Sequence, residues 1–247
     1  MAFGNDRRMT VATTRAEVGQ IDEGLRAYML RVYNYMTTGL AMTGLTAWLV
    51  ANTALINLFY QTGPTGALQP TILAWVAMLA PLAFVFLLSA RIERMSVASA
   101  QMAFWAFAVV MGLSLSHILL TFTGVSVARV FFITAATFAA MSLYGYTTKR
   151  DLSGLGSFLF MGLIGIIIAS IVNIFLASSM MHWIISIVGV GVFVGLTAYD
   201  TQRIKETYYV GDDGEAAGRK AIMGALQLYL DFINLFVMLM QLLGDRK

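Results

Sequence analysis

Charged residues along the chain fall in short clusters, and the intervals between the clusters are long and apolar. Fifty-nine residues separate Arg31 from Arg91 without a charge, 34 separate Arg94 from Arg129, 19 separate Arg129 from Lys149 and 48 separate Asp151 from Asp200. The last interval, Lys220 to Asp245, holds 24 residues and is broken by Asp231 alone. A membrane-spanning helix needs roughly 20 predominantly apolar residues, so the 59- and 48-residue intervals each hold two. Gln61-Thr-Gly-Pro-Thr-Gly66 divides the first of these and Ala177-Ser-Ser-Met-Met-His182 the second. The pattern predicts an all-α polytopic membrane protein of seven transmembrane helices, at about 30–59, 71–90, 97–122, 129–148, 155–177, 183–209 and 216–243. A transmembrane barrel would alternate polar and apolar positions over segments of ~10 residues, whereas runs such as Phe158–Ala169 are apolar on every side.

Composition agrees with this reading. The 247 residues are 59% hydrophobic and 12% charged, against about 25% charged for soluble domains. There is no Cys, which excludes a disulfide framework, a thiolate nucleophile and any Cys-built metal site. The net charge of +3 comes from loops rather than from a nucleic-acid-binding face. With the N-terminus inside, 13 Lys and Arg residues lie on the cytosolic side and only Arg129, Arg246 and Lys247 lie opposite. That asymmetry follows the positive-inside rule and predicts a cytosolic N-terminus. Residues 1–29 lack an uninterrupted apolar core with a cleavage site. They are expected to form a flexible cytosolic tail ahead of a single membrane domain, 30–247.

Ionisable residues inside spans are costly and mark candidate functional sites. Asp231 lies near the middle of the last span, and Gly224, Gln227, Asp231, Asn234 and Gln241 recur at helical spacing on one face. Asp200 lies late in the sixth span, within Ala198-Tyr-Asp-Thr-Gln202. The midpoint of positions 200 and 231 falls at the end of the acidic turn Gly211-Asp-Asp-Gly-Glu215, so an antiparallel hairpin brings both carboxyl groups to nearly equal depth. Two carboxyl groups in one poorly hydrated site cannot both ionise cheaply. Such a pair makes a proton switch or a weak, transient site for a hard cation such as Ca²⁺, helped by oxygens of Gln227, Asn234 or Tyr199. Arg91, at the end of the second span, is placed to act as their counter-ion or to snorkel to the headgroups. Ser114 and His117 in the third span lack an orienting acid and read as interhelical hydrogen-bonding groups. Gly162, Gly165, Gly189, Gly191 and Gly195 read as close-packing positions.

Four segments carry a resemblance: Gly112-Leu-Ser-Leu-Ser116, Tyr144-Gly-Tyr-Thr-Thr-Lys-Arg-Asp-Leu-Ser153, Ala198-Tyr-Asp-Thr-Gln202 and Leu228-Tyr-Leu-Asp-Phe-Ile-Asn-Leu-Phe236. In this order and spacing the chain resembles the Bax inhibitor-1 family, in its bacterial YccA-like branch, from about Arg91 to the end. The resemblance implies a bundle in which six helices surround the last, and a pH-sensitive calcium leak governed by two aspartates that correspond here to Asp200 and Asp231. It implies a latching arginine, for which Arg91 is the positional match. Some members carry an acidic residue in the second span; positions 71–90 here have none.

The expected function is therefore a proton-gated leak for Ca²⁺ as transported ion, with no bound cofactor. The alternative is a membrane-embedded regulator of a membrane protease or of a stress or cell-death pathway, acting through protein contacts of the N-terminal tail. An enzyme is not expected. Intramembrane aspartyl proteases also use two aspartates, but their second lies in Gly-x-Gly-Asp, whereas Asp231 follows Leu228-Tyr-Leu.

Overall fold

The computed structural model describes residues 5–63 and 68–247, with side chains from Glu23 onward apart from those of Thr62 and Leu68. Eight helices follow one another: α1 (Asn5–Asn52), α2 (Ile56–Phe59), α3 (Ile72–Arg91), α4 (Val97–Thr121), α5 (Gly124–Thr147), α6 (Ser153–Leu176), α7 (Ser179–Thr207) and α8 (Gly214–Leu243). A hairpin of β1 (Tyr60–Thr62) and β2 (Leu68–Pro70) separates α2 from α3, pairing Tyr60 with Pro70 and Gln61 with Gln69. Six helices, α3 to α8, are long and apolar enough to cross a membrane by length and composition. Their outward faces carry large apolar side chains such as Phe86, Phe132 and Phe175, exposed by 70% or more. A soluble protein rarely presents a surface of that kind.

The helix starts are written locally. Thr71, Ser96, Thr123, Ser178 and Asp213 each stand just before a helix in extended conformation, and each side chain accepts a hydrogen bond from the backbone N–H three residues on. Such caps satisfy donors that the first helical turn leaves unpaired. Because Thr123 is one of them, α5 begins five residues earlier than expected, and Arg129 lies inside the helix. At the other end of the first span, the Asn52 and Thr53 side chains donate back to the carbonyls of Trp48 and Leu49. The helix ends there, short of the expected residue 59, and the remainder forms α2. The segment expected as a flexible tail is also different: α1 runs back to Asn5 without interruption, although residues 1–4 and the side chains up to residue 22 lie outside the described residues.

The helix α8 is the most buried: 67% of its most apolar stretch is enclosed, against 11% for α6. It packs against α1, α4, α5 and α7. Phe104 and Phe107 of α4 stand edge-on to Tyr229, with ring centroids 6.1 and 5.2 Å away. The Tyr229 hydroxyl meets Thr43 Oγ1 of α1 at 2.6 Å, and that oxygen donates to the Ala108 carbonyl at 2.8 Å. Both ends of α8 are tied down as well. In the preceding turn, Asp212 pairs with Lys220 at 2.6 Å, and Glu215 accepts from Val97 N at the start of α4. Beyond α8 the chain lies across the α4–α5 turn: Thr123 N donates to Asp245 O, Lys247 N to Thr121 O, and Arg129 pairs with the Asp245 carboxylate at 3.0 Å.

Close helix contacts fall at particular glycines. A Cβ at Gly195 would come within 2.7 Å of Leu159, one at Gly189 within 2.9 Å of Met238 and one at Gly162 within 3.1 Å of Val192, whereas Gly165 and Gly191 face open space. Three of the five positions expected to be close-packed are so, and two are not. The tightest approach to another stretch of backbone is elsewhere: a Cβ on Gly145 of α5 would fall on the carbonyl oxygen of Ala198 in α7. Backbone cannot yield as a side-chain tip does, so Gly145→Ala should destabilise by about 1–3 kcal/mol. Gly165→Ala should be neutral or stabilising by up to about 1 kcal/mol through helix propensity. Thermal unfolding of the two purified variants in detergent checks the contrast.

Candidate functional site

The α7–α8 hairpin sets the geometry of the aspartate pair. Its acidic turn is held by Asp213 as N-cap and by the Asp212–Lys220 and Glu215–Arg219 pairs. From that turn Asp200 is reached 11 residues back from Gly211, and Asp231 16 residues forward from Glu215. The structure brings the two carboxyl groups against one another within hydrogen-bonding reach. Asp231 is 5% exposed, and its Oδ2 has no donor among the described residues; Asp200 is partly accessible. With only acceptor oxygens when ionised, the pair can be satisfied by a shared proton, by water or by a cation.

Both carboxyl groups open into a cavity of about 720 Å³ between α6, α7 and α8. Gln227 and Asn234 line it with Asp231, so three members of the polar stripe face one chamber. The other two lie elsewhere. Gly224 packs under Ile204, and Gln241 Oε1 accepts from Ser186 Oγ at 2.7 Å further along the α7–α8 seam. Across the chamber, Gly156 of α6 leaves no room for a side chain because the Tyr199 ring fills the space.

Arg91 is exposed at the end of α3 and lines neither this cavity nor the one beside it. The cation whose charge acts on Asp200 is Arg203, which lines the chamber. By sequence Arg203 falls at the cytosolic end of the sixth expected span and counts only toward the inside-positive charge. The available signal was its spacing, since three residues apart on a helix is one face. Ser114 and His117 meet only locally, through the Ser114 carbonyl and His117 Nδ1 at 2.8 Å. No group of three or more His, Asp or Glu side chains arranged to hold a metal ion occurs among the described residues.

A second cavity, of about 500 Å³, lies toward the α7–α8 turn, lined by Tyr28, Glu93, Arg219 and Lys220 among others. Arg203 and Gln227 line both cavities and so form their common wall. Burial, and secondarily the Asp212 carboxylate, push the Tyr28 phenol up to about 12, so it stands in this vestibule as a neutral hydroxyl.

A model of the family described as "Inhibitor of apoptosis-promoting Bax1" matches residues 25–247. The chain belongs to the Bax inhibitor-1 family. The match reaches back well before Arg91 and takes in all of the chain beyond the first 24 residues. The chain is 45% identical over 226 residues to the inner membrane protein YbhL of Escherichia coli K12, covering 91% of this chain and 94% of that one. It is 46% identical over 236 residues to the uncharacterized protein RP147 of Rickettsia prowazekii, covering 95% and 96%. An uncharacterized protein of Caulobacter vibrioides is 40% identical over 249 residues, covering 99% and 98%. This is a Bax inhibitor-1 family membrane protein, with the aspartate pair at the meeting of its last two helices.

The shared wall leads to a labelling prediction. The chain has no native Cys, so single cysteines report accessibility directly. A small thiol reagent should modify Gln227→Cys at least about tenfold faster than Leu228→Cys, whose position is 0% exposed. Mass spectrometry of the labelled protein measures the ratio.

Proposed function

We propose that the protein is a proton-gated passive pathway for Ca²⁺ across the bacterial inner membrane. In this reading α1 is the first of seven spans, the N-terminus is cytosolic and α8 is the axis of the bundle. One observation carries it: two carboxyl groups on neighbouring helices meet in a chamber that shares the wall of Arg203 and Gln227 with a charged vestibule.

Ca²⁺ takes six to eight oxygen ligands. Two carboxylates, with amide oxygens from Gln227 and Asn234, reach six only if both carboxylates bind through both oxygens, so an ion is held loosely and passes on. Arg203 competes with the ion for Asp200. A proton on the pair changes its charge, and with it the hold on both Arg203 and the ion. A differential interaction of a few kcal/mol is enough to shift a two-state gate.

The test is Ca²⁺ flux into liposomes on the acid and alkaline sides of neutrality. Wild-type flux should differ between the two conditions, and Asp200→Asn and Asp231→Asn should each collapse that difference. Equal flux and an unchanged pH response in both variants would rule the reading out.

A further inference from the structure

On a different face of α8 from the aspartate chamber, α1 and α5 stand apart and leave a groove of about 1040 Å³, with Phe232 of α8 at its floor. The facing walls carry Ala41 and Gly44 on α1 and Ala135 and Ala139 on α5. Small residues of this kind let helices approach closely, yet here they border a space. We propose that this groove binds a phospholipid with an anionic headgroup.

Its dimensions suit an acyl chain. At 1.5 Å per residue the α1 wall from Arg26 to Leu45 is about 28 Å long, and the α5 wall from Phe131 to Tyr146 about 22 Å. Each exceeds the roughly 15 Å that one leaflet contributes to the hydrocarbon core. The lining is overwhelmingly apolar, and two of its hydroxyls are already paired: Tyr33 OH bonds Ser142 Oγ, which bonds Thr201 Oγ1 at 3.0 Å. Beyond the Thr37 hydroxyl the wall offers a polar solute little to bind.

Charge is confined to one end. Arg26 alone is charged among the described lining residues, and it is exposed. Beside it in depth, Tyr146 closes the α5 wall, with Lys205 Nζ donating to its carbonyl at 2.9 Å and standing 5.7 Å from its ring centroid. An ammonium has three donors, so Lys205 retains capacity for a phosphate oxygen. Basic residues at the end of an apolar gap between spans recognise acidic headgroups. A second copy of the chain offering an apolar face would leave these cations without a countercharge. The proposal is independent of any ion pathway.

Native mass spectrometry of the full chain in detergent, with phosphatidylglycerol or phosphatidylcholine of the same acyl chains, tests it. Wild type should retain one phosphatidylglycerol and hold phosphatidylcholine about fivefold less. Arg26→Gln, at an exposed position, should bring the two lipids level. Gly44→Phe should lose both: a Cβ at Gly44, which lines the groove, meets nothing within 4 Å, so bulk can be added there without a clash at the backbone. Equal retention of the two lipids by wild type, unchanged phosphatidylglycerol retention in either variant, or a lipid-free dimer would overturn the proposal.

Discussion

Asp200 and Asp231 put acidic side chains on two adjacent helices and press them together, and hydrocarbon can satisfy neither. The pair therefore has to face protein or water, which dictates how α7 and α8 are rotated and how far each may slide. A shift of one residue along α8 turns a side chain by about 100° and would swing Asp231 out of the chamber. The register is set by the short turn between the helices. Asp213 caps α8, Asp212 holds Lys220, and Glu215 reaches the first amide of α4. The acidic turn thus acts at a distance on the geometry of the buried carboxylates.

Fixing the turn alone would leave the far end of α8 free to swing, and the C-terminal residues prevent this. Asp245 and Lys247 join the α4–α5 turn through backbone hydrogen bonds, with Arg129 closing on the Asp245 carboxylate. Between the two anchors, Tyr229 sits among Phe104 and Phe107 with its hydroxyl committed to Thr43. The side of α8 bearing Tyr229 is packed tightly, while the side bearing Gln227, Asp231 and Asn234 meets a cavity. One helix thus combines a tightly packed seam with one that borders a cavity.

Much of this was legible in the chain. Helices α3 to α8 lie within about five residues of their expected positions because the signal that places them, an uninterrupted apolar run between charges, is local; caps such as Thr123 then set the exact start. The aspartates could be paired because a hairpin converts sequence distance into depth. Arg91 and Arg203 differ in what the sequence encodes. Arg91 stands at a helix end, and which way an arginine there points depends on helix rotation, which charge gaps do not encode. Arg203 belongs to a cluster of cytosolic charges, and only its three-residue spacing from Asp200 marks it out. The glycines make the same point. Gly165 and Gly191 have the composition of packing positions but face open space, because whether a helix face meets a neighbour is decided by the bundle and not by the residue.

Asp231 and Phe232 are consecutive, so their side chains leave α8 in directions about 100° apart. The first enters the polar chamber beside α6 and α7; the second floors the apolar groove between α1 and α5. The hydroxyl series Tyr33, Ser142 and Thr201 crosses from α1 through α5 to α7, ending at the residue after Asp200. The two spaces are separated by a single turn of α8 and one line of hydrogen bonds. A rotation of α8 large enough to part the carboxyl groups must also move Phe232 against whatever fills the groove, and an occupant that resists that movement holds the pair together.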